Sequence, residues 1–390
     1  MNGNIRVGNL FGIPFYINPS WFLVLGLMTL TYGGQLAYTT QLAGIFPWLV
    51  GLFASLLLFA SVLAHELGHS FVAIAQGIEV KSITLFIFGG LASLEKESKS
   101  PEGAFLVAIA GPLVSLVLFV VFTVIQLTIP LPFALSLVVS LLAYINLILA
   151  LFNMIPGLPL DGGNVLKAIV WKITGNPQKG VIFAGRFGQF FGWTAVIIGA
   201  LGTLNVIPFG NFWTVFIGWF LLQNAGTAAQ SAQLEDKLNH FTAADALTAE
   251  SPIVPENISL REFANNFIIG KQPWRKFLVV DENGILSGVM DIEDLRATST
   301  HLWNETFVKD LMKSKEGVKT IDDSLSLLEV VKQLEQQKEP ELTVVKQDGT
   351  VLGLIEKQSI MKFLQKQAMG NKQAPEVSLE KAKIEAELNS

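Results

Sequence analysis

Fifty-eight consecutive residues between Glu102 and Asp161 carry no charge. One bilayer crossing needs only about 20 apolar residues, so this run is too long for a single span. Pro130-Leu131-Pro132 divides it into two expected helices, at about 103–128 and 133–155. A second uncharged run of 18 positions, Pro47 to Ala64, predicts a helix over roughly 47–76. Further apolar helices are expected at about Trp21–Leu36, 187–207 and 212–230. The chain is therefore read as a polytopic α-helical membrane protein with six transmembrane helices, followed by a soluble α/β domain.

The charge partition sets the boundary. Residues 1–234 hold 14 of the 59 charged residues of this 390-residue chain, and residues 235–390 hold the other 45. A net charge of −5 and no basic patch speak against nucleic-acid binding. No cysteine is present, which excludes disulfides, thiol catalysis and thiolate ligands. No cleavable signal peptide is read, and the first helix is expected to direct insertion and stay. Arg6, Lys81, Lys96, Lys99, Lys167, Lys172, Lys179, Arg186 and Lys237 all fall on one side of a six-helix topology, while connections 33–46, 128–133 and 205–211 are uncharged. The positive-inside rule then puts both termini in the cytosol.

Chemistry enters where the second helix ends, at His65-Glu66-Leu67-Gly68-His69. Positions i and i+4 share a helix face, so both imidazoles can address one metal ion. Glu66 can take a proton from a water activated by that metal. Two of the chain's 4 histidines are here, and ionisable groups at membrane depth point to function. The fourth helix ends in Asn153-Met154-Ile155-Pro156-Gly157-Leu158-Pro159-Leu160-Asp161-Gly162-Gly163. Asp161 is the only acidic residue between Glu102 and Glu235 and the best candidate for a third ligand. Its other reading is the N-cap of a helix starting near Gly162.

Residues 78–95 are rich in β-branched side chains and broken by Gly89-Gly90, which predicts a membrane-associated hairpin. Two readings stand: a surface element in the interface, and an edge that pairs with an extended substrate strand. Ala110-Gly111-Pro112 reads chiefly as a structural kink. In the soluble half, Phe277–Val289 and Leu342–Leu354 repeat at a constant offset of 65, as do Ser259-Leu260 and Ser324-Leu325, each pair opening an amphipathic helix. Each repeat reads as helix, strand, turn, strand, helix. Residues 371–390 read as a polar tail.

The two metal motifs together resemble the site-2 proteases, membrane zinc metalloproteases that perform regulated intramembrane proteolysis. Gly12-Ile13-Pro14, Pro19-Ser20-Trp21 and Gly111-Pro112-Leu113-Val114-Ser115 are similar to further motifs of that family. The repeat resembles a tandem CBS pair over 235–370, as in the branch that carries one at its C-terminus. The resemblance implies one Zn2+ held by His65, His69 and Asp161, with Glu66 as general base and then acid. It implies that Asn153 and the segment holding Gly89 and Gly90 bind substrate, which would be a membrane-anchored protein of the anti-sigma-factor or tethered-transcription-factor type. Asn164 stands where many relatives have Arg. The CBS resemblance implies an adenine nucleotide near Asp294, after Gly288-Val289; Ser359 holds the matching place in the second unit. A purely structural CBS pair that drives homodimerisation is the other reading. A bacterial plasma membrane is the expected location. A CBS-gated channel or transporter is the rival class, but it predicts ionisable side chains at several depths and these cluster at one.

Overall fold

The computed structural model describes residues 3–40, 44–87, 89–248, 251–270 and 274–367. The tail expected at 371–390 lies outside the described residues. The chain divides into two compact units, Met1–Leu234 and Glu235–Ser390.

The first unit starts with two short strands, β1 (Ile5–Leu10) and β2 (Ile13–Ile17), antiparallel around a turn in which Phe11 and Gly12 take positive φ. Helix α1 (Ser20–Thr40) follows, then α2 (Phe46–Ala75), which carries Pro at its first turn. Strands β3 (Val80–Phe86) and β4 (Gly89–Leu94) pair antiparallel. The expected hairpin does not stand alone: β2 pairs parallel with β3, giving a sheet of order β1-β2-β3-β4 with β4 at one edge. Parallel pairing between residues so far apart leaves no local sequence signal. Ile13, Phe15, Val80, Ile83 and Leu85 of this sheet pack on Trp21, Phe59, Val62 and Ala73, which fixes the sheet against α2.

Helix α3 (Pro101–Thr128) is capped by Ser100, whose Oγ accepts from Gly103 N–H, and runs through Pro112 as one helix. Helix α4 (Phe133–Asn153) leads into the Pro-Gly turn and then α5 (Asp161–Thr174), closed by Gly175 in the left-handed conformation. Leu160, not Asp161, is the N-cap residue of α5. Helix α6 spans Pro177–Thr203, ten residues earlier than the expected start, because Asn176 caps it and Pro177 is pre-set for its first turn. Lys179 and Arg186 make that opening look like loop in the sequence, although they sit on a helix.

Helix α7 is Phe212–Asn239. It meets α6 through small residues, with Gly185, Gly188 and Gly192 against Ala229, Ala225 and Gly218. That close approach suits helices that pack without a hydrophobic drive. Among the described residues, four helices are long and apolar enough to cross a membrane: α2, α3, α4 and α6. Helices α1 and α7, expected as crossings, are not among them.

In the second unit, β5 (Ile253–Pro255), β6 (Lys276–Val280), β7 (Leu286–Asp291) and β8 (Lys313–Ser314) form one sheet in that order. The one-turn helices α8 (Leu260–Phe263) and α10 (Val308–Leu311) flank α9 (Ile292–Ala297) along this half. The second sheet orders β11 (Val351–Glu356), β10 (Glu341–Val345) and β9 (Thr320–Asp322), with α11 at Leu327–Gln337. Strands β6 and β7 fall on β10 and β11 at the offset of 65 read from the sequence. Gly284 and Gly349 take the positive φ their turns require.

Two details correct the sequence reading. Each repeat begins with a short parallel strand, β5 or β9, that the helix-first reading omits. Ser326, rather than Ser324, caps α11, accepting from Glu329 N–H; Ser324 instead donates to Asp322. Leu278, Val280 and Leu286 share a core cluster with Val351 and Leu354, so the two repeats bury each other's sheets.

Candidate metal centre

Helix α2 buries Ala54, Ser55, Phe59, Ser61, Val62, His65, Gly68 and Ala73 along one face, and this inward stripe carries the histidine motif into the bundle. Gly68 lies against Ala110 and Val114 of α3, holding the two helices close at the height of the imidazoles. Gly111 backs directly onto the Nε2 atoms of His65 and His69, so any side chain there would collide with both rings. The Ala-Gly-Pro signal, read from sequence chiefly as a kink, marks the wall behind the imidazoles.

Asp161 arrives from the other side through the turn after α4. Gly162 packs on the Met154 and Ile155 carbonyls, and Gly163 on Gly157 and Leu158, closer than a Cβ permits. This pins the first turn of α5 against the Pro-Gly segment and aims the Asp161 carboxylate at the histidines. The alternative role of Asp161 as an N-cap does not hold in this geometry.

His65 Nε2 lies 3.0 Å from Asp161 Oδ2, His69 Nε2 lies 3.3 Å from Asp161 Oδ1, and the two Nε2 atoms are 3.3 Å apart. His69 Nδ1 is 2.6 Å from the Val107 carbonyl oxygen. A carbonyl can only accept, so His69 Nδ1 carries the proton and donates, which leaves Nε2 a bare acceptor. His65 Nδ1 meets Ser115 Oγ at 2.9 Å, and where that hydroxyl accepts, Nδ1 carries the proton and Nε2 is bare as well. Three acceptors converging from two imidazoles and a carboxylate repel one another unless a cation lies among them.

The donor set fits zinc. Ligand atoms about 2.05 Å from a tetrahedral ion stand about 3.3 Å apart, the spacing this cluster has. His65, His69 and Asp161 are the group able to hold a metal among the described residues, and they would leave a fourth position open.

The cluster lines a cleft of about 400 Å³ that also takes in Glu66, Gly89, Gly90, Asn153, Asn164 and Lys167. Gly90 of β4 packs on the Glu66 side chain so closely that a Cβ would overlap it. Asn153, the last residue of α4, and Gly89, the first of β4, both reach the same cleft. Every candidate of the membrane unit is thus brought to one place.

Asp294 lies apart from these, in the second unit, within the first turn of α9. Its carboxylate accepts from Asp291 N–H at 3.4 Å and pairs with Lys313 Nζ at 3.0 Å. A cleft of about 580 Å³ in that unit is lined instead by Ser359, Asp245, Thr248, Trp274, Lys362 and Phe363. Sequence reading placed neither Val107 nor Lys167 in the site. A backbone carbonyl gives no side-chain signal, and Lys167 stands out only once α5 is known to step along the cleft.

The model of peptidase family M50 matches residues 53–137 and 131–183, and that of the CBS domain matches residues 308–366. A relative in Synechocystis sp., with the provisional name zinc metalloprotease sll0528, is 59% identical over 368 residues, covering 94% of this chain and 97% of its own. The zinc metalloprotease MJ0392 of Methanocaldococcus jannaschii is 28% identical over 364 residues, 93% of this chain and 97% of its own. Among solved structures, the site-2 protease from M. jannaschii aligns with a TM-score of 0.44 and 30% identity, over 58% of this chain and 95% of its own.

Proposed function

We propose, from the premise that this chain belongs to peptidase family M50 and is a zinc metalloprotease of the site-2 protease type, that it cuts membrane-anchored proteins within or beside their transmembrane segments. The observation that carries this reading is the shared cleft. The three-ligand cluster, the Glu66 carboxylate and the outer strand β4 all line it, at the end of an apolar helix.

Each residue then has a task. His65, His69 and Asp161 hold zinc, one ion per chain. When bound, zinc supplies Lewis acidity, activating water near neutral pH and polarising a carbonyl. Glu66 accepts the proton of the attacking water and delivers it to the leaving amine. Gly90 leaves room for the Glu66 carboxylate beside β4. A helical substrate keeps its carbonyls engaged in its own hydrogen bonds, and edge pairing with β4 draws it out as a strand that exposes one of them. Asn153, which lines the same cleft, takes the task of holding that strand or the developing oxyanion.

The wider reading has six crossings, with α1 and α7 completing the four strongly apolar helices, both termini cytosolic, and a bacterial plasma membrane as the site of action. The second unit acts as a tandem CBS module that regulates the protease or dimerises it. An adenine nucleotide at Asp294 requires Lys313 to release that carboxylate. Mass measurement of the solubilised protein with and without residues 235–390 tests dimerisation, and an unchanged oligomeric state removes it. The protease reading is tested by cleavage of a single-pass transmembrane reporter by purified wild type and Glu66→Gln with zinc supplied. Cleavage by the first alone supports it; equal cleavage by both overturns it.

A further inference from the structure

Lys167 is a charged residue that the mechanism leaves without a task. It lies on α5, lines the same cleft as the metal cluster and is only 8% exposed. Its Nζ donates to Glu97 Oε2 at 2.6 Å, its one acceptor among the described residues. The two partners are unequal. The Lys167 side chain is 11% exposed and fixed to a helix, whereas that of Glu97 is 77% exposed, on the segment joining β4 to α3.

A buried cation is costly unless a counter-charge meets it, while a mostly solvated carboxylate loses little on returning to water. Glu97 can therefore be exchanged for another carboxylate at small net cost; Lys167 cannot leave. The ammonium is also well placed to read a substrate. Asp161, Asn164 and Lys167 all line the cleft, at steps of three residues along α5. Six residues of helix put Lys167 about 9 Å beyond Asp161 along the axis. An extended strand covers that length in about three residues.

We propose that Lys167 is a specificity-determining residue that selects substrates bearing an aspartate or glutamate about three residues from the scissile bond, and that Glu97 occupies that carboxylate's place in this structure. The proposal rests on the protease reading above. Asn164 adds no second cation beside it, and Lys167 is the only lysine or arginine among the described residues lining the cleft.

The test uses the full-length protein in detergent with zinc and a panel of single-pass reporters. Each carries Asp or Asn at one of the positions two to four residues on either side of the cut. Wild type is expected to cleave one Asp reporter about tenfold faster, by kcat/KM, than its Asn counterpart, the ratio a charge-assisted hydrogen bond supplies. In Lys167→Gln the ratio falls to about one, and Lys167→Arg restores it. Glu97→Gln, at an exposed position, removes the competitor and raises the Asp:Asn ratio further. It serves as the second measurement should Lys167→Gln fail to fold.

Equal rates for Asp and Asn at every position in wild type overturn the proposal. So does an Asp preference that survives Lys167→Gln or a ratio unmoved by Glu97→Gln. Cleavage of none of the reporters by wild type overturns the protease reading itself, and the specificity proposal with it; cleavage without discrimination overturns only the latter.

Discussion

His65 Nδ1 sits 2.9 Å from Ser115 Oγ, a contact between α2 and α3 buried from solvent on both sides. The hydroxyl fixes the ring's rotation, so Nε2 faces Asp161. Outer partners of this kind typically govern metal affinity by about 10- to 100-fold. Ser115→Ala is therefore expected to weaken zinc binding by about that factor while leaving the fold intact, measured by competition against a chromophoric chelator. Affinity equal to wild type would show that packing alone orients the ring.

Two glycines separate metal binding from catalysis. Gly111→Ala pushes a methyl into both imidazoles, so this variant is expected to purify with little zinc by elemental analysis. Gly90→Ala crowds Glu66, which supplies the three atoms nearest to the added methyl. It is expected to keep its zinc and lose roughly 100-fold in kcat, since a displacement of about 1 Å at a reacting group costs that much. Zinc loss in Gly90→Ala would place β4 in the metal site instead of beside it.

Metal removal should read out as stability. A ligand that binds only the folded state at about 100 times its Kd stabilises it by about 2.7 kcal/mol. Thermal denaturation in detergent is expected to shift downward when zinc is chelated, and upward on adding it back. Glu66→Gln keeps this response because it is no ligand, whereas Asp161→Asn loses most of it. A response retained in Asp161→Asn would remove that residue from the ligand set.

In the second unit, Glu341 of β10 stands directly across from Glu356 of β11. Burial, and then the Glu356 charge, raise its pKa above the ordinary 4.5. The folded state therefore holds this proton to higher pH than the unfolded chain. Stability from this group is full below 4.5 and declines as pH rises through the raised folded value. Glu341→Gln is expected to remove that decline and add about 0.5 kcal/mol or less at neutral pH, since like charges across a ladder destabilise and partial exposure screens them. Hydrogen exchange in β10 and β11 at pH 5 and 7 checks it; identical pH slopes in both proteins would contradict the assignment.

The His65-His69-Asp161 cluster was the most legible part of the chain, for a physical reason. Ionisable side chains are so scarce in residues 1–234 that His65, Glu66, His69 and Asp161 stand out from a charge-free background, and helical spacing supplies the geometry. What stayed hidden depends on contacts without local period. The pairing of β2 with β3 joins segments separated by two long helices, and the Val107 carbonyl that sets the His69 tautomer is backbone. Lys167 reads as one more positive-inside residue until α5 turns it toward the cleft. The repeats were visible through their turns and apolar strands, while β5 and β9, three residues each, are too short to announce themselves.

The parallel pairing of Phe15 with Ile83 also sets an order of events during synthesis. Strand β2 leaves the ribosome long before β3 and has no partner on that side until α1 and α2 have been made. The two histidines then wait again for Asp161, which comes only after α3 and α4. The site cannot be completed until the chain is well past its first four helices.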